Sequence, residues 1–129
     1  MYRSLSLLWC SPHQPTIEQL SSLEGELFYL KDVCPSLMER IVNCPDNRGE
    51  LYELAEDLFM FSLGKYELVQ PGGSPAFLFA LGTVSVADDG ARQGLFRFAH
   101  SERMSEEAIQ PDGSIKKIST FKHLGWIKM

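Results

Sequence analysis

Apolar and polar positions alternate along this chain in blocks whose period changes from segment to segment. Ser4 to Cys10 is a short apolar run closed by the turn-prone Ser11-Pro12, the pattern of a strand buried on both faces. Thr16 with Gln19 three residues later forms a capping box, and Ile17, Leu20 and Leu23 then share one helical face until Gly25. Leu27 to Leu30 reads as a second strand. Pro35 suits the first position of a helix carrying Leu37, Ile41 and Cys44, which Pro45 ends. Asp46 or Asn47 can cap the next helix, where Leu51, Leu54, Leu58 and Phe61 recur every three or four residues up to Gly64.

Tyr66 to Gln70 reads as a third strand. Pro71-Gly72-Gly73-Ser74-Pro75 follows at once, with Ser74 placed to cap, and Pro75 to begin, a helix through Leu81. Asp88-Asp89-Gly90 has turn composition, and Leu95 to Ala99 reads as a fourth strand. From Arg103 onward two strand-like stretches flank Pro111-Asp112-Gly113, a hairpin of about residues 103–126, and Phe121 to Ile127 is apolar enough to rejoin the core. Strands alternating with helices predict one α/β domain over residues 1–129: a mostly parallel sheet with helices on both faces and a C-terminal β-hairpin. In such sheets ligands collect where strands end and helices begin, which singles out the loops Ser11 to Thr16 and Gly72 to Ser74.

Composition narrows the field. With 129 residues, 44% of them hydrophobic and 22% charged, the chain can bury one core and is not of disordered type. A formal net charge of −5 disfavours binding long nucleic acid through phosphate neutralisation. The charge is uneven: residues 1–64 hold 4 Lys/Arg against 10 Asp/Glu, residues 65–129 hold 8 against 7, so an anion site would draw its cations from the second half. No run approaches a membrane span and the apolar start is too brief for a signal peptide, so no membrane partner and a cytoplasmic location are expected. Cys10, Cys34 and Cys44 lack metal-knuckle or disulfide spacing and read as free thiols; no metal or other cofactor is expected.

Gly72-Gly73-Ser74 joins a strand to a helix start, where unpaired N–H groups and the helix dipole favour a phosphate; the same residues also suit a tight turn needing glycine for backbone geometry. Neither a P-loop nor a dinucleotide fingerprint is present. Ser11, His13 and Gln14 bring a hydroxyl, an imidazole and an amide to the other loop, able to contact phosphate or move a proton, although a lone loop histidine is more often a bystander. Cys10 does not begin a thiolate phosphatase turn, because the position six residues on is Thr16 rather than arginine. Arg97, His100, Ser101 and Arg103, with Lys122 and His123, supply a basic cluster or a solvated edge. Glu106-Glu107 and Lys116-Lys117 suit pairing across the hairpin.

Three features together, namely Ser11, His13, Thr16 and Gln19 around the first loop, the glycine turn after a central strand, and the ending from Arg103 through Pro111-Asp112-Gly113 to Phe121-Lys122-His123, resemble a family. The chain is similar to the small stand-alone CRISPR-associated proteins of type III systems that are related to CARF (CRISPR-associated Rossmann fold) domains and act as ring nucleases on cyclic oligoadenylate. The resemblance implies a Rossmann-like, CARF-like fold. It further implies a cytoplasmic homodimer that binds one cyclic tetra-adenylate across its two-fold axis. Cleavage there is metal-independent: the substrate 2′-OH attacks the neighbouring phosphorus and leaves a 2′,3′-cyclic phosphate, which switches off antiviral signalling. In that scheme His13 is the base, Ser11 orients, and Arg103 or Lys122 neutralises developing charge. Gly72, Gly73 and Ser74 hold phosphate, with Gln14 and Ser101 as further substrate contacts. The alternatives are a non-catalytic sensor or sequestering protein for the same ring, and an adaptor domain whose glycines only turn the chain.

Overall fold

Ser6–Trp9 forms β1, the strand at the middle of the hydrophobic packing, with Leu7, Leu8 and Trp9 all buried. The computed structural model describes residues 6–86 and 96–129. After β1 come α1 (Ile17–Ser21), β2 (Leu27–Tyr29), α2 (Leu30–Val33), α3 (Pro35–Val42), α4 (Arg48–Ser62), β3 (Tyr66–Val69), α5 (Pro75–Val86), β4 (Phe96–Ile109) and β5 (Ile115–Lys128). The strands make one sheet of order β2-β1-β3-β4-β5, parallel except for the antiparallel pair β4–β5. The expected α/β class and mostly parallel sheet are therefore observed. No helix among the described residues is long and apolar enough to cross a membrane.

Local signals set the helix boundaries. Thr16 Oγ1 accepts from Gln19 N–H at 3.1 Å while Gln19 Oε1 accepts from Thr16 N–H at 2.9 Å, the reciprocal capping box. Asn47, rather than Asp46, caps α4 by accepting from Glu50 N–H at 2.9 Å. Pro35 takes the first turn of α3, and Gly64, at φ +75°, follows α4 in the left-handed conformation that ends it.

The sheet grows from β1 in both directions, so connections of one hand must pass over opposite faces. Leu8 and Leu68 look onto the face covered by α3, α4 and α5, where Leu30, Ile41, Leu54, Leu58, Phe77 and Leu81 complete the main core. Leu7, Trp9 and Val69 look the other way, onto a thinner cluster with Leu23, Leu27, Tyr29 and Trp126. Helices thus lie on both faces, but unequally. The expectation that Ile17, Leu20 and Leu23 pack as one helical stripe is corrected: α1 is too short to bury a face, Ile17 is 85% exposed, and only Leu23, beyond the helix, reaches the cluster.

Four other expectations change. The helix after Ser74 continues past Leu81 to Val86, and an extra turn, α2, follows β2 directly. The fourth strand and the first hairpin strand are one strand, β4, which among the described residues pairs with β3 at Phe96 and Arg97 and then runs on with β5 as a two-stranded ribbon. Phe121 does not rejoin the core; it is 71% exposed, because its part of the ribbon has no layer above or below it. Asp88-Asp89-Gly90 lies outside the described residues. The register sets Glu107 opposite Lys117, as the charge pattern suggested, and a bulge between His100 and Ser101 shifts the pairing.

Candidate functional site at the strand ends

The direction of chain growth reverses between β1 and β3, and there the loops after the two strands touch. A Cβ on Gly72 would lie 2.8 Å from Pro12 Cδ and 3.3 Å from Ser11 Cα, so the loops approach at a distance only glycine permits. Ser11 and Gly72 therefore share one rim, at the crevice where open α/β sheets take ligands. Gly73, at φ +114°, needs glycine for its backbone conformation, and its α-carbon packs towards Phe77 and Ile41. Both readings of the glycine turn thus have a basis: the glycines serve backbone geometry, and the backbone N–H groups of Gly72, Gly73 and Ser74 have no acceptor among the described residues.

Ser74 Oγ accepts from Phe77 N–H at 3.1 Å, capping α5, and lies 3.2 Å from Cys44 Sγ. A hydroxyl has one proton and two lone pairs, so with the thiol donating, the Ser74 O–H stays free to donate outward. Replacing Ser74 by alanine should lower stability by about 1 kcal/mol through loss of the cap, read by denaturant unfolding; no loss would mean that the helix start is held by other contacts.

In the first loop, His13 N–H donates to Ser11 Oγ at 3.2 Å, and Trp9 Nε1–H donates to the His13 carbonyl at 2.8 Å. The loop is thus fastened to a buried indole, while the His13 and Gln14 side chains remain exposed. Trp9, Ser11, Pro12, His13, Gln14, Tyr29 and Lys31 surround a dent of only about 10 Å³, so this part of the rim presents a surface rather than a chamber. Cys10, directly before it, is fully buried; burial pushes its thiol up, and Sγ–H donates to the Leu8 carbonyl, which suits a core residue and not a nucleophile.

The tail cations do not join this rim within one chain. Arg97 is engaged by Glu67, with Nε 2.7 Å from Oε2, in an ion pair that ties β3 to β4; Lys128 approaches the other oxygen at 3.8 Å. Ser101 sits opposite His123 at the base of the ribbon, and Lys122 opposite Glu102. Arg103 lies six residues past Arg97, the last position paired to β3, or about 20 Å at roughly 3.3 Å per residue. Its described hydrogen bond is to Ser119, at 3.4 Å. The expectation that Arg103 and Lys122 share a rim with Ser11 and Gly72 is corrected in this respect. His123 also turns elsewhere: Nε2 is 2.9 Å from Ser22 Oγ, which accepts from Trp126 Nε1–H, and the Trp126 ring meets Trp9 edge-on. Its Nδ1 is buried with no partner among the described residues.

Sequence reasoning missed four participants. Lys31, just beyond β2, lines the dent, and the same strand-end rule would have found it. Gln70 holds φ +49° and its Oε1 accepts from Ala99 N–H at 2.8 Å, clamping the turn to β4. Cys44 braces Ser74. Arg48 stands over the Tyr52 ring beside Phe79, in an open groove of about 480 Å³ between α4 and α5. Among the described residues no group of three or more His, Cys, Asp or Glu is placed to hold a metal ion. Comparison with family models, curated proteins and solved structures gives no match for the chain.

Proposed function

We propose that the chain is a CARF-related ring nuclease with a Rossmann-like fold, acting in the cytoplasm on cyclic oligoadenylate, with cyclic tetra-adenylate as the substrate and a homodimer as the working unit. The observation that carries this reading is the contact of Gly72 with Ser11 and Pro12, which brings free backbone N–H donors and an exposed histidine to one strand-end rim. A phosphate of the ring sits against Gly72, Gly73 and Ser74, with Gln14, Lys31 and Ser101 as flanking contacts.

The reaction asks little of the protein. The 2′-oxygen of one ribose attacks the adjacent phosphorus, the bond to the next nucleotide's 5′-oxygen breaks, and a 2′,3′-cyclic phosphate and a free 5′-hydroxyl result. His13 takes the 2′-proton, the 5′-oxygen gains one, Ser11 holds the loop around His13, and Arg103 or Lys122, contributed by the second copy in the proposed homodimer, offsets charge on the phosphorane. No metal enters this scheme.

Purified protein incubated with cyclic tetra-adenylate in EDTA should yield linear products ending in cyclic phosphate; an intact ring after excess protein and long times refutes the activity. His13→Ala should lower turnover by about 10²–10⁴-fold with affinity little changed. Tight binding without turnover would instead support a sensor or sequestering role, a reading favoured by the openness of the rim around His13.

A further inference from the structure

His13 stands on a loop with little of its own to hold it. From Ser11 to Pro15 the described hydrogen bonds are His13 N–H to Ser11 Oγ and Trp9 Nε1–H to the His13 carbonyl. At the far end Thr16 is held by its reciprocal box with Gln19. The position of the loop therefore depends on the Trp9 ring at one end and on α1 at the other. Neither has a thick layer over it: α1 buries none of its residues, and Leu23, Leu27, Tyr29 and Trp126, which pack on the cluster containing Trp9, are only partly buried.

One residue of β5 reaches both ends. The Trp126 ring meets the Trp9 ring edge-on, with centroids 6.2 Å apart and planes at 88°, an arrangement aromatic pairs prefer. Its Nε1–H donates to Ser22 Oγ at 2.8 Å, across 104 positions of the chain. Ser22 is the C-cap of α1, and its hydroxyl donates to the Gln19 carbonyl at 2.9 Å, so Trp126 is tied through it to the residue that closes the capping box. Proton counting fixes the third partner. The single Ser22 hydroxyl proton is directed to the Gln19 carbonyl, so the two lone pairs of Oγ take the Trp126 N–H and a proton from His123 Nε2, 2.9 Å away. His123 is then the Nε2–H tautomer, and its buried Nδ1, which has no partner among the described residues, is the bare nitrogen of the ring rather than a stranded N–H.

We infer that Trp126 and Ser22 are positioning residues for His13: with His123 they pin the root of β5 to both ends of the loop and so fix where the imidazole stands. The His13 side chain is itself exposed, so its place is set by its backbone. The effect on turnover rests on the proposed ring cleavage; the hold on the loop does not.

Ser22→Ala removes the acceptor, and Trp126→Phe removes the donor while keeping a ring beside Trp9. The chain has two tryptophans, so the indole signal of Trp9 is readily assigned in a proton–nitrogen correlation spectrum and reports its bond to the His13 carbonyl directly. Exchange of that indole proton with solvent should quicken at least about fivefold in both variants, with the amide signals of α4 unmoved. A rate equal to that of the wild type overturns the inference. In the wild type at about pH 8, the ring nitrogens of His123 should show the Nε2–H tautomer; a proton on Nδ1 overturns the hydrogen-bond scheme at Ser22. Where cyclic tetra-adenylate is cut, each variant should lower turnover about three- to tenfold with KM changed by less than about twofold. Neither should lower it further when added to His13→Ala, because a misplaced base and a missing base are one defect. Unchanged turnover, losses confined to KM, or losses that multiply with that of His13→Ala overturn the positioning role. If the wild-type protein cuts no ring, the proposed function falls and indole exchange alone decides the hold on the loop.

Discussion

Replacing Phe77 by alanine is expected to lower stability by about 3–5 kcal/mol, the range for removing a fully enclosed aromatic ring. Phe77 is completely buried among Leu8, Ile41, Leu68 and Leu81, where α5 meets the sheet and α4. Its ring also lies beneath Gly73, whose missing Cβ would stand 3.0 Å from Cδ1, so the same side chain supports the main core and the glycine turn. A domain of this size holds only about 5–15 kcal/mol in total, so the variant should lose a large share of its stability, with Tm down by roughly 10–20 °C. Phe79 provides the contrast. It is two residues on and 73% exposed, and its truncation should change stability by no more than about 0.5 kcal/mol. Equal losses at Phe77 and Phe79 in denaturant unfolding would show that α5 does not face the sheet as described.

That contrast indicates which features could be read from the chain. Phe77 and Phe79 are the same residue in the same helix, and no local signal separates them; which face meets the sheet is decided by the crossover from β3 to β4. Signals confined to a few residues were legible: the Thr16–Gln19 box, Pro35, Ser74 with Pro75, and the turn at Pro111 to Gly113 all act through their own backbone. The continuity of β4 was not. Ser101 to Glu107 is solvated on both faces and so lacks the apolar alternation by which strands are recognised. The exposed face of α1 misled for the opposite reason, since an apolar stripe on five residues looks amphipathic without having a layer to enter.

For the rim, topology supplied what motifs could not. That Ser11 and Gly72 meet follows from β1 and β3 being neighbours, an order that the alternation of strands and helices does not itself specify. Lys31 and Cys44 enter through the same neighbourhood but carry no motif. Arg103 was misplaced because position along a strand beyond its last neighbour cannot be judged without knowing where that neighbour stops. The aromatic and hydroxyl cluster of Trp9, Trp126, His123 and Ser22 depends on residues about a hundred positions apart, a pairing no local pattern encodes.

Gly72→Ala is expected to part the two loops. The added carbon would stand 2.8 Å from Pro12 Cδ and 3.3 Å from the Ser11 backbone, so either the proline ring or the turn must move. Overpacking of this kind costs about 1–3 kcal/mol, against the 0.4–1 kcal/mol by which loss of a glycine favours folding through the unfolded chain, so a net destabilisation is expected. Pro12→Ala removes Cδ, the nearest atom, and should return part of the loss when combined with Gly72→Ala. The two residues touch, so a cycle of single and double variants should give a coupling of about 0.5–3 kcal/mol, favourable in the double. On the proposed function, affinity for cyclic tetra-adenylate should follow the same cycle, falling in Gly72→Ala and partly recovering with Pro12→Ala, because both residues shape the surface proposed to take the phosphate. Strict additivity in unfolding would mean that the loops do not touch in solution. Coupling in stability with affinity unmoved would keep the contact but take the ring away from it.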